Sequence, residues 1–539
     1  MEDNNVLSPQ QLGFKKGHST TEHCQTLYHL ATTAMKGPTK ALFVAFVDLA
    51  AAFDSLDRNK LWQKILNLHL DPHLVYLMRQ LHQKTTVKIK VGNSGALTEE
   101  ISVNKGVKQG CVLAPLLFNL YLNDVVGTLE GPQFMAPSIC QTKISILLYA
   151  DDMVLISLTR IGLKRLLDNL GLYCKDQGLS INYHKTKVMV FRRRPKTFTW
   201  SILGTRIEQC SSYKYLGITF SETLTWKAHL SNLRVATLRS MGAIVKFFFS
   251  KGGCLIDPAI KLFVSKVISS MLYGAEIWGW NEQVINNLEK IQNLFMRRIL
   301  VLPKGTPVAL MRAELGLPSI KARVNFIILK YWLKCTQKNS DDVSSQNLML
   351  NFVSDRTHPE YINGIASRYS IPDDLTRPGS SVKELLKWIY QMDAVLDGNI
   401  ITQSRAVPLF KYFKRIHWRS SYLESLSSLT LRMAFTHLRF QSLPIAVCSG
   451  RFSHLPLSEC TCICNRGAVK DLMHYVMDCP LYDEPRGKFI KRILPTTSGL
   501  SKTENLIFLL SDIDAYVTNR VALFALAAKK IRSKLCNQS

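Results

Sequence analysis

Apolar and polar positions alternate with two different periods along the first 220 residues. ALFVAFVDL (41–49) is an almost unbroken apolar run, short enough for a strand and apolar on both faces. TTVKIKV (85–91) alternates polar and apolar and runs into Gly92-Asn93, a hairpin pattern. KISILLYADDMVLISL (143–158) reads as two apolar strands around a short polar tip, and HKTKVMVF (184–191) and YKYLGITF (213–220) as further strands. Between them, helical spacing runs from Ser19 to Met35, over 58–83 with an interruption near Asp71-Pro72, over 112–130 with Pro115 in the first turn, and over 160–178 up to Gly178. Such a mixture predicts one α/β or α+β domain over 1–220. Beyond Phe220 the pattern turns mostly helical, through 221–336. Residues 337–382 are rich in Ser, Asp, Asn and Pro and read as linker-like. Residues 383–447 are helical in pattern, 448–490 carry a Cys/His cluster, and 491–539 return to helical spacing.

Charge narrows the partners. The 539 residues hold 68 Lys+Arg against 40 Asp+Glu, a formal net charge of +28, which favours a polyanion such as nucleic acid. Hydrophobic residues at 47% allow a packed core and argue against global disorder. The first residues, MEDNNVLSPQ, are polar and acidic and do not form a signal peptide. The longest apolar stretch, Ile144 to Leu158, is broken by Asp151 and Asp152, so no membrane span is predicted. The expectation is a soluble, intracellular protein whose 13 cysteines are reduced or bound to metal.

Two acidic sites interrupt apolar strands. Asp48 ends one run, and Asp151 and Asp152 sit at the bend between two others. A lone Asp-Asp at a turn is ordinarily a solvated tip, but here apolar flanks place it close to a core. Buried carboxylates are costly unless paired or bound to metal. A pair of divalent cations would remove the mutual repulsion, and an all-oxygen site suits Mg2+ or Mn2+. Farther on, CTCICNRGAVKDLMHYVMDCP (460–480) gathers Cys464, His474 and Cys479 at metal-ligand spacing, with Cys462 or Cys460 as a fourth ligand. Three thiolates and one imidazole suit Zn2+; unligated reduced thiols are the alternative.

These segments resemble the motifs of reverse transcriptases. QLGFKKGHST (11–20) is similar to the end of the fingers motif, FVDLAAAFDSLD (46–57) to motif A, and GVKQGCVLAPLLFNLYLND (106–124) to motif B. YADD (149–152) resembles motif C, GLSINYHKTKVMVF (178–191) motif D and YKYLGITF motif E. Their order and spacing resemble the LINE-type, non-LTR retrotransposon branch. The resemblance implies an α/β (α+β) right-hand polymerase palm with partial fingers, followed by a mostly helical thumb and a C-terminal region with a small Cys/His knuckle. It implies an RNA-directed DNA polymerase acting on an RNA template, a DNA primer or target and dNTPs, with two metal ions.

By the same resemblance, Asp48, Asp151 and Asp152 are catalytic metal ligands, joined by the backbone carbonyl of Leu49. Phe53 is the gate that selects deoxyribose, with core packing as its alternative. Gln109 and Gly110 lie against the nascent base pair, and Lys185 lies near the leaving pyrophosphate. The basic set Lys227, Arg234, Arg239, Lys246 and Lys251, the run Arg192 to Arg194 and the aromatic-basic segment KYFKRIHWR (411–419) are the expected grip on nucleic acid. In the family, an endonuclease and the front of the fingers precede GFKKGHST, so an N-terminally truncated copy is expected. A catalytically impaired nucleic-acid-binding remnant and a group II intron-type maturase are the rival readings.

Overall fold

The computed structural model describes residues 6–536 apart from 69, 84, 93–94, 109, 140–141, 254, 337–356, 378, 405–406, 415–418, 444–459, 465–467, 470 and 495–498. Two compact units emerge. One comprises Met1–Ser231, Glu276–Trp280 and Tyr331–Ile362, the other Asn232–Ala275, Asn281–Lys330 and Asn363–Ser539.

The apolar run near residue 45 forms β1 (Leu42–Val47), wholly buried in the first unit. With it run β2 (Ile146–Tyr149), β3 (Asp152–Ser157), β4 (Lys187–Phe191), β5 (Trp200–Ile202) and β6 (Thr205–Gln209). They make a six-stranded sheet in the order β5-β6-β4-β1-β3-β2. All pairs are antiparallel except β4 with β6. Side chains alternate across a strand, and the sheet is covered on both faces, which explains why β1 has no polar side. Phe43, Ala45 and Val47 enter one apolar cluster with residues of α2 (Arg58–Leu66), α4 (Ala114–Leu122) and α5 (Arg160–Gln177). Leu42, Val44 and Phe46 enter another with α1 (Thr20–Lys36) and the hairpin of β7 (Ser212–Tyr215) and β8 (Ile218–Ser221).

Local chemistry sets the helix limits. Asp57 caps α2, and Asp71 caps α3 (Pro72–His82), with Pro72 in its first turn. Thr159 caps α5, which ends at Gly178. The segment expected as one helix over 112–130 breaks after Leu122, because Asn123 turns its side chain to Val6 O and Ser8 N at 2.8 Å each. The expected hairpin after residue 85 is present as the pairs Thr86–Val87 with Ile101–Ser102 and Lys90–Val91 with Ala96–Leu97.

The second unit is helical, as the pattern beyond Phe220 predicts. Its helices include Glu282–Leu300, Val382–Thr402, Leu429–Arg439 and Lys502–Leu510. Its core holds an ion pair between Arg439 and Glu314, 2.7 Å apart and fully buried. Of the stretch read as linker-like, 337–356 lies outside the described residues, and Thr357–Arg368 is a helix. Among the described residues, no helix is long and apolar enough to cross a membrane.

Candidate active site and candidate metal centre

Strand register brings the three acids to one end of the sheet. β1 pairs with β3 up to Val47 opposite Met153, so Asp48 and Asp152 leave neighbouring strands together. Tyr149 lies opposite Asp152, which makes Ala150-Asp151 a two-residue turn. Burial first, then the charges of Asp151 and Asp48, push the Asp152 carboxyl up to about 6. Three mutually repelling carboxylates with hard oxygen donors fit divalent cations of the magnesium class.

Asp48 is fixed by its backbone. Its carbonyl accepts from Asn182 N at 2.8 Å, and its N–H donates to Thr186 Oγ1 at 3.3 Å. Leu49, with a buried side chain, pairs with Ile181 in the two-residue ladder that follows. The amine of Lys185 lies 3.7 Å from Asp48 Oδ2; the lysine side chain is 70% exposed, so it is held loosely.

Phe53 is half-buried and stacks on Phe118 with ring centroids 4.5 Å apart. Its carbonyl accepts from Val107 N at 2.9 Å, which docks the segment after Gly106 on the segment after Asp48. Gly106 has φ +75°, and a Cβ there would lie 2.7 Å from Asp54 Cα and Phe53 O. Gly106→Ala is therefore expected to destabilise the first unit by about 3 kcal/mol, from strained backbone plus a collision with backbone. Urea unfolding measures it, and a wild-type midpoint would contradict it. Gly110 has φ +82° and open space beside it, and Gln109 lies outside the described residues.

Sequence reasoning missed Arg58. Its guanidinium donates to Gly106 O and His82 O at 2.8 Å, Val103 O at 2.9 Å and Lys105 O at 3.3 Å, stapling the hairpin to this segment. No period or motif marks it, because all its partners are backbone carbonyls.

The basic residues divide. Lys227, Arg234, Arg239, Lys246 and Lys251 are exposed, as are Arg193 and Arg194; Arg192 is half-buried. The segment at 411–419 departs from expectation. Tyr412 is exposed, but Phe413 and Lys414 are buried, and Arg419 pairs with Asp257 and Glu424. The Arg439 guanidinium lies 4.6 Å from the Phe413 ring centroid, so that ring serves the core. Arg415 and Trp418 lie outside the described residues.

In the second unit, the ligand atoms of Cys462, Cys464, His474 and Cys479 all lie within 4.8 Å of one another. Cys462 Sγ is 3.8 Å from Cys479 Sγ, and Cys464 Sγ is 3.4 Å from His474 Nε2. A tetrahedral zinc with ~2.3 Å sulfur bonds has sulfur–sulfur edges of about 3.8 Å. Asp471 accepts from His474 N at 2.8 Å, and Arg486 donates to Cys479 O at 2.7 Å, so the backbone around two of the four is held. Burial pushes the Cys479 thiol up to about 12, with the neighbouring Cys462 thiol adding to it. Cys460 is buried but stands outside this group of four.

A family model described as "Reverse transcriptase (RNA-dependent DNA polymerase)" matches residues 1–220. The chain is 27% identical over 337 residues to "Probable RNA-directed DNA polymerase from transposon BS" of Drosophila melanogaster, covering 60% of this chain and 36% of the relative. It is 23% identical over 329 residues to "RNA-directed DNA polymerase from mobile element jockey" of the same fly, covering 60% and 35%. It is 23% identical over 511 residues to "Retrovirus-related Pol polyprotein from type-1 retrotransposable element R2" of Nasonia vitripennis, covering 89% and 44%. The chain thus spans between about a third and under half of the length of these relatives.

Proposed function

We propose that the chain, whose residues 1–220 match the reverse transcriptase family and resemble non-LTR retrotransposon relatives, is an RNA-directed DNA polymerase. It extends a primer 3′-hydroxyl with dNTPs along an RNA template. The observation that carries this reading is the convergence of Asp48, Asp151 and Asp152 at one end of the sheet.

Two divalent cations, when bound, supply the positive charge that makes the 3′-hydroxyl a better nucleophile and offsets charge on the triphosphate. Asp48, Asp151 and Asp152 would hold them, and the Leu49 carbonyl would offer a further oxygen ligand. The 3′-hydroxyl gives up its proton to solvent water, its oxygen attacks the α-phosphorus, the bond from that phosphorus to the bridging oxygen of the β-phosphate breaks, and pyrophosphate leaves. Lys185, beside Asp48, gives that leaving group a proton. The Phe53 ring, kept in place by Phe118, crowds a ribose 2′-hydroxyl, and Gly110 lets the backbone approach the nucleotide. The exposed cations from Lys227 to Lys251 neutralise template and primer phosphates, so binding weakens with salt. We place palm and partial fingers in 1–220, thumb and connection in 221–336, and a zinc knuckle in 448–490.

Primer extension by the full chain on an RNA template, with a DNA primer, dNTPs and Mg2+, tests the reading. Product that requires template and metal supports it; no product above a protein-free control overturns it.

A further inference from the structure

The turn that carries Asp151 is strained and is held from outside. Ala150 has φ +54°, a left-handed conformation unfavourable for a residue with a Cβ. Residues 10–13 run beside β2. Leu148 N donates to Gln10 O at 2.9 Å, and Leu12 N donates to Leu148 O at 3.0 Å. Between those bonds, the Gln11 side chain reaches the turn itself. Its Oε1 accepts from Ala150 N at 3.2 Å and from Gly13 N at 2.9 Å. Gly13 is in closest contact with the turn, since a Cβ there would lie 2.4 Å from Ala150 N. Asn119, on α4, donates to Gly13 O at 2.7 Å. Gln11 and Asn119 are each 1% exposed. Each also leaves one polar atom, Gln11 Nε2 and Asn119 Oδ1, without a partner among the described residues. Burying amides with an unsatisfied atom costs stability, so these two positions are held for what their other atoms do.

We propose that Gln11 is a positioning residue for the acidic site: its side-chain carbonyl locks the Ala150-Asp151 turn, and Asn119, through Gly13, ties that lock to the helix after the nucleotide-facing segment. This rests on the polymerase reading for its function, but the lock acts on metal affinity and is measurable without polymerisation. A misplaced turn sets Asp151 and Asp152 at the wrong separation from Asp48, and the cation loses ligand geometry before any nucleotide arrives.

Mn2+ binding to the full chain, followed by loss of the free-ion signal in electron paramagnetic resonance, tests the lock. D152N reports the background from other sites. Q11M, which keeps size and loses the acceptor, is expected to weaken Mn2+ binding at the acidic site about tenfold, the scale of groups that orient metal ligands. Q11E, which keeps an acceptor oxygen, is expected to bind at least as tightly as wild type. N119A, which loosens the same segment without touching Gln11, is expected to show a smaller loss. Thermal melts run alongside. Wild-type affinity in Q11M overturns the lock; if Q11M does not fold, wild-type affinity in N119A does so. Primer extension with undiminished Mn2+ binding in Q11M would remove the lock and keep the polymerase. Weakened Mn2+ binding in Q11M, with no extension by wild type, would do the reverse.

Discussion

Replacing Asp151 by Asn is expected to abolish primer extension, with a loss of at least about 10³-fold, because the metal-held charge contributes several kcal/mol to the transition state. Asp48→Asn is expected to match it. The fold should survive both, since Asp151 is exposed and Asp48 is anchored by its backbone to Asn182 and Thr186. Asp152→Asn is the more informative change, because its carboxyl is pushed up to about 6 by burial and by Asp151 and Asp48. A carboxyl with a raised folded-state pKa holds its proton more tightly folded than unfolded. Its contribution to stability is full below about pH 4 and is lost as pH rises through about 6. In chelator at pH 7.5, D152N is therefore expected to melt above wild type, by only on the order of one degree, because the residue is exposed overall and solvent screens its partly buried carboxyl. The difference should vanish below about pH 4, and Mg2+ should stabilise wild type but not the variant. A D152N protein that melts below wild type at pH 7.5 without metal would show that the three charges do not repel. Activity persisting in D151N would remove the acids from the chemistry.

The sheet and its acids were legible because burial leaves a one-dimensional trace. β1 is apolar at every position since Phe43 and Val44 face different clusters, and a charge ending such a run stands out. What was not legible depends on contacts between distant segments. Gln11 and Asn119 reach their partners by single hydrogen bonds, and Arg58 reaches four backbone carbonyls; no spacing rule registers such contacts. The opposite error occurred at 411–419. Alternating basic and aromatic residues suggest a wet stacking surface, yet Arg439, fully buried by pairing with Glu314, draws Phe413 inward. Similarly, the helical spacing over 112–130 says nothing of Asn123, whose side chain is claimed by residues 6 and 8.

Removing zinc is expected to unfold the Cys/His segment and loosen the helix it rests on. We propose Zn2+ as the ion held by Cys462, Cys464, His474 and Cys479; the full chain should then contain about one zinc, with three thiolates and one imidazole. Cys460→Ser should keep it, because Cys460 lies outside the group of four, and Cys479→Ser should lose most of it. The effect should spread along aromatic contacts. Tyr475 packs on Tyr482 at 4.8 Å and on Phe524 at 6.2 Å, and Phe524 belongs to the helix Ala515–Cys536. Amide hydrogen exchange should accelerate in 471–486 and in that helix, while β1 to β4 keep their protection. Binding must displace thiol protons, and burial pushes Cys479 up to about 12, so affinity should fall as pH is lowered. The loss should be large, since structural zinc contributes about 10 kcal/mol or more to the folding of small metal-bound segments. Equal zinc content in wild type and C479S, or unchanged exchange after chelation, would show that these four side chains meet without holding an ion.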